Sequence, residues 1–215
     1  MLTPALRKFA LTAHVTASVG WLGAVACFLV LAVVGVRSED GVTVRAAYVS
    51  SDAITWFAIV PFAVASLLTG LVVSLGTPWG LFRHYWVVVK LTLTILATLL
   101  LLLHTRPIGF LARAAREMTF SGPEIGRLQI QLVADAVAAV VALLINVTLS
   151  VYKPRGVTAY GRRRLAHDLG AESDSKPART EAVGWVKLLT VVVFALLVLF
   201  VVLHISGHGL GSLHH

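Results

Sequence analysis

Residues 85–105 read YWVVVKLTLTILATLLLLLHT, a stretch in which Lys90 is the only formal charge. A helix rises about 1.5 Å per residue, so about 20 such residues cross a hydrocarbon core of about 30 Å. Similar runs occur at 9–36, 53–76, 129–152 and 184–206. In lipid every backbone N–H needs a partner inside its own segment, and period-two alternation is absent, so these runs predict helices and not a barrel. The expected fold is all-α, a five-transmembrane-helix bundle, with residues 1–215 forming a single integral membrane domain.

Composition agrees with that expectation. The chain is 58% hydrophobic and 13% charged, with a mean hydropathy of +0.87. Soluble domains carry about 25% charged residues. The five runs leave little chain for a separate soluble catalytic unit. The first run follows Arg7 and Lys8 as a signal peptide would, but its apolar core is longer than such segments have, so a retained anchor is expected. Cys27 is the lone cysteine, which excludes an intramolecular disulfide. The charge of +8 falls mostly in the connections, where anionic headgroups and topology account for it and no nucleic-acid partner is expected.

Eleven basic residues (Arg7, Lys8, Arg83, Lys153, Arg155, Arg162, Arg163, Arg164, Lys176, Arg179 and Lys187) lie at the amino terminus and in the second and fourth connections. Six (Arg37, Arg45, Arg106, Arg113, Arg116 and Arg127) lie on the other side. The positive-inside bias predicts a multi-pass protein of a bacterial-type plasma membrane, amino terminus cytoplasmic and carboxyl terminus outside. The polar stretch at about 153–182 is expected to be a flexible cytoplasmic loop. Ile108–Met118 in the third connection predicts a short interfacial helix with Ile108, Leu111 and Met118 toward lipid.

Ionisable side chains at membrane depth cost about 2.5–3.5 kcal/mol on insertion scales, so each needs a partner or a cavity. On the third span Lys90, Thr94, Ala97, Leu101 and His104 share one helical face, and on the fourth Gln131, Asp135, Ala142 and Asn146 share another. Counting turns from the span ends predicts two layers. An inner one holds His14, Lys90 and Asn146 near Gly70. An outer one holds His104, His204 and His208, with Asp135 about two turns deeper. Trp21 lies one to two turns beyond His14, placed to flank a flat molecule, whereas the other tryptophans suit the interfacial belt. A stripe of small residues on the first span, Ala13, Ala17, Gly20, Ala24 and Cys27, predicts close helix contact.

Neutral imidazole is a ligand for haem iron and for copper or zinc. Haem between helices takes axial imidazole, small residues beside the ring and cations for its propionates. His14, or His104 with His204, supplies the first, Gly70 the second, and Lys90 or Arg83 the third. No CxxCH is present, so b-type haem is the expected form, with electron transfer or a haem-linked oxidation as the role and a redox partner or quinone as partner. The alternative is copper or other metal-ion transport or resistance through His14, His104, His204, His208 and Asp135. His204 and His208 share a helix face, and His214 and His215 add imidazole nearby. A third reading is a non-catalytic membrane subunit, in which the polar seams join helices or a second copy of the chain.

The segments AHVTASVGWLG (13–23), LLTGLVVSLG (67–76) and HYWVVVKLTL (84–93) resemble a loose superfamily of small bacterial membrane proteins. It contains the copper-resistance D family and the membrane protoporphyrinogen oxidase family. In the oxidase family a first-helix histidine and a third-helix lysine are the functional pair, and haem is associated with that histidine. The resemblance implies those roles for His14 and Lys90 and covers roughly residues 1–105. After its tryptophan the oxidase family continues with a polar segment and a further histidine, where this chain has AVACFLVLAVVG (24–35).

Overall fold

The computed structural model describes residues 3–76, 84–117, 123–152 and 158. They form α1 (Pro4–Arg37), α2 (Gly41–Ile54), a π-helical turn (Thr55–Ile59), α3 (Val60–Gly76), α4 (Tyr85–Arg116) and α5 (Pro123–Tyr152). Four continuous helical stretches, Pro4–Arg37, Gly41–Gly76, Tyr85–Arg116 and Pro123–Tyr152, are each long and apolar enough to cross a membrane. The run at 184–206 and the loop at about 153–182 lie outside the described residues. One compact unit holds α1 to α3, α5 and α4 from Lys90 onward. Residues 84–89 belong to a second unit. There the His84 carbonyl accepts from the amides of Val87 and Val88 at 3.2 and 3.3 Å, which opens α4.

Local chemistry sets the helix ends. Thr3 caps α1, its hydroxyl accepting from the Leu6 amide at 3.4 Å, and Pro4 follows where its missing N–H costs nothing. Asp40 caps α2 by accepting from the amides of Val42 and Thr43 at 3.3 and 3.0 Å. The Thr43 hydroxyl donates to the same carboxylate, and these bonds hold the Asp40 carboxyl below its ordinary range. In the second stretch the Val60 amide reaches back to the Thr55 carbonyl, one residue beyond an α-helical bond. Pro61 follows at once, so the π turn lies where proline would otherwise clash with the carbonyl four residues back.

α1 packs against α2, α3 and α5. Its buried face is Ala17, Trp21, Val25, Phe28, Ala32 and Gly35, at spacings of three and four. The seam is offset from the expected small-residue stripe, and Cys27 is exposed. Two glycines do allow close approach. A Cβ on Gly20 would lie 2.9 Å from the Phe62 ring, and one on Gly35 would lie 2.6 Å from Cζ of Tyr48. Large apolar side chains such as Phe9, Phe57 and Leu75 point outward, as suits helices whose solvent is lipid.

Two expectations are corrected. The second stretch starts at Gly41, not at 53, because the polar segment before Ile54 is helical and buries Ala47, Tyr48 and Ser51. The third does not stop at 105. α4 runs through Pro107 to Arg116, with Ile108, Leu111 and Ala115 in the core. Ile108 and Leu111 therefore face the bundle and not lipid. Burial of that apolar face outweighs the amide bond lost at proline, which sequence rules weigh heavily.

Candidate functional site

His14 of α1 meets α3 at Gly70. A Cβ on Gly70 would lie 3.0 Å from Cε1 of the imidazole, so the glycine makes room for the ring itself. Nδ1 of His14 lies 3.0 Å from the Ser66 carbonyl and 3.2 Å from the Thr69 hydroxyl. A carbonyl only accepts, so Nδ1 carries the proton. The Thr69 hydroxyl donates its own proton to the Ala65 carbonyl and can also accept from Nδ1. Nε2 is left with its lone pair. Beside the ring the hydroxyls of Ser18 and Ser66 are 2.9 Å apart.

α4 and α5 supply the facing wall. Lys90 donates to the Ser150 hydroxyl, which donates to the Asn146 carbonyl at 3.2 Å. Asn146 Nδ2 donates to the Thr94 hydroxyl at 2.9 Å, which donates to the Lys90 carbonyl at 2.8 Å. Each hydroxyl spends its proton on a backbone carbonyl one turn back, so each accepts from the nitrogen of a side chain on the opposite helix. That direction orients the Asn146 amide and leaves its Oδ1 buried without a hydrogen-bond partner among the described residues.

His14, Trp21, Lys90 and Asn146 thus line one cleft. The cavity there is about 40 Å³, room for roughly three waters. With the open side included, the unfilled space is about 350 Å³. Gly70 lies behind the imidazole. Ser18, Ser66, Thr69 and Ser150 were not among the expected site residues, although Ser18 is one turn from His14 and Ser66 one turn from Gly70. A serine or threonine in a spanning helix so often bonds its own backbone that spacing alone does not single these out.

The outer layer is also rearranged. His104 Nε2 lies 2.7 Å from Asp135 Oδ2, with the side chains 8% and 13% exposed. The two are in contact, whereas counting turns from the span ends put Asp135 about two turns deeper. Among the described residues no group of three or more His, Cys, Asp or Glu could hold a metal ion. Arg83, His204 and His208 lie outside the described residues.

For haem, the donor set and the space can be tested separately. A ligating imidazole normally donates its second N–H to a carbonyl or carboxylate, and His14 does so, which leaves Nε2 as the donor atom. Lys90 lines the same cleft. A cavity of about 40 Å³ does not contain a macrocycle. No family model, curated protein or solved structure matches the chain.

Proposed function

We propose that this chain is a multi-pass membrane protein that binds b-type haem through Nε2 of His14 and serves electron transfer or a haem-linked oxidation. The carrying observation is the Nδ1 hydrogen bond of His14 to the Ser66 carbonyl, which fixes the tautomer and leaves the lone pair on Nε2. The haem supplies a one-electron couple. The chain's own residues hold the imidazole (Ser66, Thr69), leave room for it (Gly70), wall the cleft with an aromatic plane (Trp21) and offer a cation to a propionate (Lys90). The amino terminus is proposed to lie in the cytoplasm, which places this cleft in the inner half of the bilayer.

The small cavity favours one further reading, a non-catalytic subunit in which the Lys90–Asn146 network only joins α4 to α5. Absorption spectra separate the two. Chain purified from haem-replete cells should show a Soret band, lost in His14→Ala and retained in His104→Gln. Absence of the band from wild-type protein overturns the haem reading and leaves the structural one.

A further inference from the structure

We infer that His104 and Asp135 form a proton-binding site, holding one proton between Nε2 and Oδ2 across α4 and α5. His104 Nδ1 lies 2.6 Å from the Leu100 carbonyl, an acceptor only, so that nitrogen keeps its own hydrogen. Nε2 then faces Asp135 Oδ2 at 2.7 Å. Without a proton there, two lone pairs would face each other in a site where neither side chain is more than 13% exposed. One further proton removes the conflict, whether it makes an imidazolium facing a carboxylate or a carboxylic acid facing a neutral imidazole. In both forms the pair is neutral overall.

The same distance argues against a metal ion as the occupant. Zinc-type bonds of about 2.0–2.2 Å to nitrogen and oxygen at a tetrahedral angle separate the two ligand atoms by about 3.3 Å. A separation of 2.7 Å has the length of a charge-assisted hydrogen bond. Two ligands also fall short of a metal site, and among the described residues no third is grouped with them. The site stands independently of the haem reading, which concerns His14.

Proton and helix contact are linked in this arrangement. When α4 and α5 part at this level and water enters, the bond to the shared proton breaks and the proton passes to water. Asp135 remains a carboxylate, and His104 a neutral imidazole with Nδ1–H intact. At mildly alkaline pH both groups, once solvated, favour those forms. Opening the pair therefore releases one proton, and closing it takes one up.

The full-length chain in lipid nanodiscs tests this at mildly alkaline pH. With imidazole ¹⁵N and aspartate ¹³C labels, solid-state NMR should find a proton on either His104 Nε2 or the Asp135 carboxyl, assigned by the signal that His104→Gln removes. Unfolding in sodium dodecyl sulfate with a pH-indicator dye should release one more proton per chain from wild type than from Asp135→Asn. Added Cu²⁺ should leave the His104 signal in place. A bare Nε2 opposite a deprotonated carboxyl in wild type, equal proton release from the two proteins, or Cu²⁺ broadening of the His104 signal that Asp135→Asn abolishes would each overturn the inference. If Asp135→Asn does not fold, the wild-type spectrum alone decides the question.

Discussion

Replacing Gly70 by alanine sets two effects against each other at the His14 cleft. Inside a helix alanine is favoured over glycine by about 1 kcal/mol. Against that, the new Cβ would lie 3.0 Å from Cε1 and 3.4 Å from Nδ1 of His14. Carbon atoms prefer about 3.5–4.0 Å, so the ring must withdraw by about 0.5–1 Å. The bond from Nδ1 to the Ser66 carbonyl is 3.0 Å long, and such bonds rarely exceed about 3.2 Å, so a retreat of that size breaks it. Overpacking costs about 1–3 kcal/mol and the lost bond about 1 kcal/mol, which leaves a net loss of about 1–3 kcal/mol after the helical gain. Gly23 on α1 is the internal control, since a Cβ there meets nothing within 4 Å and only the helical gain remains. Unfolding in mixed micelles should rank Gly23→Ala at or above wild type and Gly70→Ala below it. The ¹⁵N signals of His14 should move only in Gly70→Ala, since the Nδ1 proton loses its fixed acceptor. If Gly70→Ala proves as stable as Gly23→Ala with the His14 signals unmoved, the assignment of Gly70 as the seat of the imidazole is wrong.

Gly35→Ala should cost more stability than Gly70→Ala, because its Cβ would fall 2.6 Å from Cζ of Tyr48, which is 1% exposed, yet it should leave the His14 signals in place. Asp40→Ala should lower the melting temperature near neutral pH, where the cap is ionised. The Asp40 carboxyl titrates below its ordinary value of about 3.9, so its contribution is present above that value and is lost as pH falls through the folded one. The melting difference between the two proteins should accordingly close in strong acid, as followed by circular dichroism. For the outer pair, His104→Leu or Asp135→Leu alone should cost about 3–5 kcal/mol by stranding a buried polar partner. The double variant should recover much of that loss, and purely additive costs in a double-mutant cycle would count against a coupled pair.

The amino-acid sequence by itself determined the solvent. Runs such as 85–105 carry too little charge to fold in water and too few breakers to avoid a helix, so apolar length alone identifies the helices that can cross a bilayer. It also determined which residues share a helix face, since that needs only 3.6 residues per turn, and Lys90 with Thr94 on one helix and Asn146 on another were legible in this way. Tertiary structure alone decided what each polar group meets. His14 finds a carbonyl of Ser66, an atom every residue owns and no side-chain pattern marks. His104 and Asp135 meet across α4 and α5, and α4 persists through Pro107, where the burial of Ile108, Leu111 and Ala115 outweighs one missing amide bond. Helix ends are set by such small differences between local and long-range energies. An error of one turn displaces every group beyond it by about 5.4 Å, enough to separate an ion pair on paper that is joined in the folded chain.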